Sequence, residues 1–255
     1  MTNLSVNLNK VALVRNQRDA GYPDVGRAAR MAVQADAQGI TVHPRPDGRH
    51  IRHDDVTALA AMLRDEFAGR IEFNVEGFPS SDFVELVRQI RPTQTTLVPD
   101  PPEVRTSDSG WDIRSDAAML GSVIEALHDV GTRVALFIEP DAASVRGSAR
   151  VGADRIELYT ARYARSFGTD REKAVLGHYV AAAALAEDIG LGSNAGHDLN
   201  LENLATFRRA IPCRSFPVDR CADHGTDKQR AGVPGSVASG GRLSAAGGMA
   251  PRKLT

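Results

Sequence analysis

The chain has 255 residues, 42% hydrophobic, 25% charged and only 5% aromatic, with a formal net charge of −1. That length suits one large domain or two small ones, and the charge balance is unlike that of a general polyanion binder, so no nucleic-acid partner is expected. No apolar run approaches the roughly 18 residues of a membrane span, Met1–Lys10 lacks the pattern of a secretory signal, and Cys213 and Cys221 supply neither a disulfide framework nor a four-thiolate metal site. A cytoplasmic protein without a membrane partner is the expectation.

Short β-branched runs alternate with longer amphipathic ones. Strands are predicted at Leu4–Leu8, Gly39–His43, Ile71–Val75, Thr95–Val98, Arg133–Ile138, Arg155–Tyr159 and Leu191–Ala195. Between them the spacing predicts helices. Asp24–Ala37 follows Pro23; Asp54–Phe67 opens on an Asp able to cap free backbone N–H groups; Ser80–Ile90 opens on Ser and stops before Pro92. Ser115–Val130 stops at Gly131, Ala142–Arg150 is short, Asp170–Asp188 is Ala-rich, and Asn200–Ala210 stops before Pro212. Strand then helix, repeated, implies a parallel sheet with helical crossovers. An open doubly wound sheet would carry a glycine-rich phosphate turn after its first strand, where this chain has Asn7-Leu8-Asn9-Lys10. A closed α/β barrel of the TIM (β/α)8 type fits the length, but its eighth strand has only a weak candidate after Pro212.

Composition changes abruptly at residue 213. Residues 213–255 carry seven Lys/Arg against three Asp/Glu, hold seven of the 23 glycines and both cysteines, and contain no isoleucine. A segment of this kind buries too little apolar surface to offset its ordering entropy. The expected organisation is therefore a barrel domain over residues 1–212 and a poorly ordered Gly-rich tail over 213–255.

In such barrels the chemistry lies where strands end. The first strand delivers Asn7 and Asn9, the second His43 and Arg45, the third carries Glu72, and the fourth leads to Asp100 and a loop with Thr106. The sixth carries Glu157 and the seventh ends in Asn194-Ala195-Gly196-His197. Such a set suits proton shuttling combined with anion binding. Plainer readings stand beside it. The run from His43 to His53 also reads as a solvated turn that caps a helix, and its interleaved arginines disfavour a metal cation. Glu157 also reads as a structural ion-pair partner and Asn194–His197 as a simple turn, while His128 and His178 read as surface residues. Glu72 is harder to set aside, because a carboxylate inside a barrel is costly unless paired or catalytic.

Taken together, Val6-Asn7-Leu8-Asn9-Lys10, Arg15-Asn16-Gln17-Arg18, Gly39-Ile-Thr-Val-His43-Pro-Arg45, Arg49-His50-Ile51, Leu97-Val-Pro99, Glu157 and Asn194-Ala-Gly-His197 resemble the pyridoxine 5'-phosphate synthase family over roughly residues 3–212. The resemblance implies a (β/α)8 barrel with extra helices, assembled as a homo-octamer. It implies condensation of 1-deoxy-D-xylulose 5-phosphate with 3-amino-2-oxopropyl phosphate to pyridoxine 5'-phosphate, phosphate and water, with no metal and no organic cofactor. By the same resemblance His43 and Glu72 are proton acceptors, His197 is the proton donor and Glu157 assists the transition state. Asn7 and Arg18 match contacts to the amino-ketone phosphate, and Arg45, His50 and Thr106 match contacts to the deoxyxylulose phosphate.

Departures from the family pattern are Asn9-Lys10 in place of a common Asp-His, Asp198 in place of a frequent Gly, and Ala161 in place of another. Asn9, Lys10 and Asp198 remain expected substrate contacts. The family's eighth-strand Ser-Ile-Gly-His-Ala-like run is missing, and His224-Gly225 reverses its Gly-His order. Two readings stand for this end: a genuinely divergent tail, or a shifted reading frame, since the codons for Val218–His224, moved by one base, can encode a Ser-Ile-Gly-Ala-Leu-Ile-like run. Two functional expectations follow, an active synthase or an impaired relic that only binds a phosphorylated substrate. An unrelated Schiff-base aldolase lacks a lysine at a strand end other than Lys10.

Overall fold

Alternation of β-branched and amphipathic segments becomes a closed parallel barrel. The computed structural model describes residues 3–17, 21–100, 109–211 and 215–219, the last as backbone only. In chain order the elements are β1 (Asn3–Asn7), α1 (Asn9–Arg15), α2 (Val25–Gln34), β2 (Gly39–Val42), α3 (His53–Phe67), β3 (Glu72–Gly77), α4 (Ser81–Ile90) and β4 (Gln94–Leu97). Then follow α5 (Ile113–His128), β5 (Arg133–Ile138), α6 (Ala142–Arg150), β6 (Arg155–Tyr159), α7 (Ala161–Ser166), α8 (Glu172–Asp188), β7 (Gly192–Gly196), α9 (Leu204–Ala210) and β8 (Ser215–Asp219). Each strand pairs in parallel with the next. β8 pairs with β1 from Asn3↔Ser215 to Asn7↔Asp219 and meets β7 at Asn194↔Ser215, which closes the barrel.

Closure changes the expectation for the tail. The closing strand lies inside the segment set apart by composition, so the compositional break precedes the end of the barrel. The unit containing the barrel spans Met1–His224. His224-Gly225, and most of the segment addressed by the reading-frame argument, lie outside the described residues. Among the described residues no helix is long and apolar enough to cross a membrane.

Local chemistry explains several helix starts. Asp24 caps α2 by accepting the Arg27 N–H, Ser80 caps α4 by accepting the Phe83 N–H at 3.3 Å, and Asp141 caps α6 by accepting from Ala143 and Ser144 at 2.9 Å each. The expected cap at Asp54 is corrected: α3 starts after Arg52, whose N–H donates to the Asp55 carboxylate at 2.8 Å. Two short helices, α1 and α7, had no separate hydrophobic period to reveal them. β3 runs two residues beyond its expected end at Val75, and that extension carries Glu76.

Strand periodicity divides the side chains into two layers. Outward-facing Ile40, Val42, Phe73, Val75, Leu97 and Ile156 are buried with helix residues such as Leu59, Leu86 and Leu120. Trp111 ties the ends of two strands together, its N–H donating to the Phe137 carbonyl at 3.0 Å and its indole Nε1–H to Leu97 at 2.8 Å. The neighbouring Gly110 lies against the Ile138–Glu139 backbone, where a Cβ would overlap main-chain atoms.

Inside, the barrel is polar. At the end where the strands begin, Arg133 bonds the Glu72 carboxylate and Arg155 reaches it at 3.4 Å. Both guanidiniums donate to Gln94 Oε1, at 3.1 and 2.9 Å. Gln94 donates to Asn74 Oδ1 at 3.2 Å, and Asn74 donates to Thr41 Oγ1 at 3.4 Å. Glu72 and its partners are partly exposed, with side-chain exposures of 19%, 30% and 12% for Glu72, Arg133 and Arg155. Breaking this cluster therefore costs less than the ~3–5 kcal/mol of a fully buried pair. Glu72→Gln is expected to lower unfolding free energy by about 1–3 kcal/mol in chemical denaturation; no loss would show that the cluster is energetically idle.

Candidate active site

Among the described residues, the ends of β1, β2, β6 and β7 carry most of the sequence-predicted groups, and Glu72 stands apart from them. Glu72 is the first residue of β3 and faces Arg133 and Arg155 at the opposite end. It lies about 13 Å from Glu76 along the strand, at ~3.3 Å per residue. The carboxylate expected as a proton acceptor thus stands in an ion-pair cluster at the strand starts. Glu76, on the same inward face and 9% exposed, points its Oε2 to 3.9 Å from His43 Nδ1. The sequence signal was present as Glu72-Phe-Asn-Val-Glu76, but the period of two could not say which carboxylate sat at the mouth.

His43 follows β2 directly. Its backbone N–H donates to Asn9 Oδ1 at 2.8 Å, and the Asn9 N–H donates to Asn7 Oδ1 at 2.8 Å. The first strand end thus fixes the second. The His43 ring meets the His50 ring edge-on at a centroid distance of 5.9 Å. Burial, then the charges of His50 and Arg45, push His43 from 6.5 down to about 3. Burial, then Arg45, push His50 down to about 4, and its Nδ1 accepts the Ile51 N–H at 2.9 Å. Both imidazoles are neutral near neutral pH, so His43 has a lone pair with which to accept a proton.

The loop carrying His50 is held by two residues the sequence left without a role. Arg15 bonds Asp55 and donates to the His50 carbonyl at 3.2 Å. Asn16 Nδ2 donates to the carbonyls of Gly48, Arg49 and His50 at 3.1, 3.1 and 2.8 Å. Arg45 is 6% exposed and lies 3.7 Å from Asp47 through its Nε. A cavity of about 330 Å³ opens beside His43 and Arg45, walled by Phe78 and Phe83 and reaching Asp100. Lys10 stands in the first turn of α1.

Across the mouth, Phe137, Tyr159, Val98 and Ala161 form a small buried apolar cluster. His197 lies against it, with ring centroids 5.3 Å from Tyr159 and 6.0 Å from Phe137. Glu157, one inward position below Tyr159 on β6, is 3% exposed and accepts from Thr96 Oγ1 at 3.2 Å. It is an interior carboxylate. His197 and Asp198 both have positive φ, so Asn194–His197 is more than a plain turn. Arg18 and Thr106 lie outside the described residues. Among the described residues no three His, Cys, Asp or Glu side chains are grouped to hold a metal ion.

The histidine environments set a sign for stability against pH. The unfolded chain titrates these imidazoles at about 6.5 while the folded chain holds them lower, so unfolding takes up protons in between. Stability is therefore lost as pH falls below about 6.5 toward 4. The thermal midpoint is expected to drop on acidification from about pH 7 to about pH 4.5, and to drop less in a His43→Gln/His50→Gln double variant. Equal drops in both proteins would contradict the burial-driven neutrality of the pair.

The family model "Pyridoxal phosphate biosynthesis protein PdxJ" matches residues 4–215. The chain is 49% identical over 212 residues to a pyridoxine 5'-phosphate synthase of Parabacteroides distasonis, covering 83% of this chain and 86% of that one. It is 49% identical over 216 residues to a protein of that name from Albidiferax ferrireducens, covering 83% and 85%. One from Allorhizobium ampelinum is 47% identical over 215 residues, covering 82% and 84%. Solved barrels at low identity share the fold alone. Thiamine phosphate pyrophosphorylase from Pyrococcus furiosus has 12% identity and a TM-score of 0.54, with 85% of each chain covered. Phosphoribosyl anthranilate isomerase from Thermus thermophilus has 12% identity and a TM-score of 0.54, with 86% and 87% covered. With its family model matching residues 4–215 and close to half of its aligned residues identical to these relatives, this chain belongs to the PdxJ family of pyridoxal phosphate biosynthesis proteins.

Proposed function

We propose that this chain is a pyridoxine 5'-phosphate synthase, joining 1-deoxy-D-xylulose 5-phosphate to 3-amino-2-oxopropyl phosphate with release of phosphate and water. The observation that carries the reading is the pairing of a neutral, buried His43 with Glu76 at the C-terminal mouth of the barrel. Imine formation, elimination and ring closure each take a proton from one atom and return it to another. A site with bases and acids at separate positions serves that sequence better than a single group. In this reading His43 and Glu76 accept protons and His197 donates one from the opposite wall. Glu157 faces the reacting carbons from within the barrel and stabilises positive charge that develops on them.

The two phosphates need fixed donors. Arg45 and His50 serve the deoxyxylulose phosphate, with Thr106 from the loop after β4. Asn7, Asn9, Lys10 and Arg18 serve the amino ketone and the ends of both substrates. Asn7 and Asn9 spend their side-chain oxygens on backbone N–H groups, which leaves their amide N–H groups as donors. Asp198 contributes through its backbone, because its carboxylate would oppose a phosphate. A homo-oligomer is part of the proposal; Val14, Tyr22 and Met31 expose 57%, 73% and 57% of their surface on the α1–α2 side, which supports it. So is a cytoplasmic location.

The test is formation of pyridoxine 5'-phosphate by the purified chain from both substrates. Glu76→Gln is expected to cut kcat by about 10²–10⁴-fold, the range for one acid–base group, with little loss of stability. Glu72→Gln is expected to show the opposite pattern, with near-native kcat and lower stability. A folded wild-type chain without product would defeat the reading, and an active Glu76→Gln would move the base elsewhere.

A further inference from the structure

His197 and Asp198 are consecutive non-glycine residues in the left-handed region, with φ of +90° and +56°. L-residues pay for this conformation through a close Cβ contact, and it persists only where the surroundings enforce it. The enforcement is visible. Thr160, one residue beyond β6 and 0% exposed, donates its hydroxyl to the Gly196 carbonyl at 2.7 Å and reaches the His197 carbonyl as well. Its backbone N–H also donates to Gly196, at 3.2 Å. Asn203, 2% exposed, donates Nδ2–H to the Asp198 carbonyl at 3.1 Å and accepts the Asn200 N–H at 2.8 Å.

These two residues are themselves anchored. The Tyr163 hydroxyl donates to the Asn203 carbonyl at 2.9 Å, and the Tyr179 hydroxyl donates to the Tyr159 carbonyl at 2.7 Å. Tyr163 packs against Phe207 at 4.9 Å and Tyr179 against Phe207 at 5.4 Å between ring centroids. Burial pushes Tyr163 up to about 12 and raises Tyr179 as well, so both hydroxyls stay donors at any working pH. The loop between β7 and α9 is thus gripped by α7, α8 and α9.

We propose that Thr160 is a positioning residue for His197: with Asn203 it clamps the strained loop so that the imidazole lies on the Phe137–Tyr159 wall, facing the site. A glycine would adopt this backbone without a clamp. Keeping an imidazole at the turn requires one. Thr160 is fully buried and acts through the backbone of His197, and the inference rests on the reading of His197 as proton donor.

The test combines hydrogen exchange of residues 192–203 with steady-state kinetics. Thr160→Val keeps the shape and removes the donor. It is expected to speed exchange in this loop by at least ~10-fold while the barrel strands stay protected. It is expected to lower kcat by about 10–100-fold with KM nearly unchanged, the effect of a displaced catalytic group. Thr160→Ser, which restores the hydroxyl, is expected to recover both. Should Thr160→Val fail to fold, Asn203→Asp keeps the acceptor for Asn200, loses the donor to Asp198, and carries the same expectations. Unchanged exchange in the loop, or a loosened loop with unchanged kcat, would overturn the proposal. If the wild-type chain makes no product, the synthase reading fails by itself, and exchange alone then decides the clamp.

Discussion

Glu72 held between Arg133 and Arg155 at the closed end of the barrel sets the direction of the polar interior. Barrels of this type are usually filled by branched apolar side chains. This one carries charged and amide groups through its centre, and each must find a partner or cost free energy. The two guanidiniums can only donate, so they fix Gln94 with its oxygen toward them. The Gln94 amide must then donate inward, to Asn74, and Asn74 in turn donates to Thr41, which meets Ser5 at 2.7 Å. One charge cluster thereby orients side chains on β1, β2, β3 and β4. A single reversed amide would leave two donors facing each other.

The same interior separates stability from chemistry by depth. Groups near the strand starts are paired and oriented, and they hold register. Groups near the strand ends, His43 beside Glu76 and Glu157 beside Thr96, stand in the inner layer above them. Thr96 stands between the layers, within hydrogen-bond reach of Asn74 below and Glu157 above. The loops above follow a common rule: backbone is held by side chains from neighbouring elements. Asn9 holds His43, Asn16 holds the 48–50 loop, and Thr160 and Asn203 hold the His197 turn. Helices seal the outside, while asparagines and a threonine set the site.

Much of this was legible in the sequence. Hydrophobic period gave seven strands and their helices, because buried faces repeat at two or near 3.6 residues whatever the loops do. His43, Glu157 and His197 were found at strand ends for the same reason. Alternation assigns a face and not a depth: Glu72, Asn74 and Glu76 share one face, and only the paired register with β4 shows which lies at the mouth. β8 was hidden because Ser-Phe-Pro-Val-Asp has little apolar period of its own, and pairing on both sides supplies what composition does not. The roles of Arg15, Asn16 and Thr160 were not legible, since their partners lie 35, 34 and 36 residues away, and nothing marked Asn203, whose partner Asp198 is five residues away.

The departure at Asn9-Lys10 can now be weighed in physical terms. The pattern common in the family places an aspartate where this chain has Asn9. Either side chain offers an oxygen to the His43 N–H, so the backbone at His43 is held in both cases. The difference is charge. An aspartate beside His43 would add a negative field that favours the imidazolium, opposing the burial and the Arg45 charge that keep the ring neutral. The asparagine preserves the positioning bond and removes that opposing field. It also offers an N–H donor where the aspartate offers only acceptors. The substitution therefore keeps the geometry of the site while shifting its electrostatics toward anion binding and a neutral base.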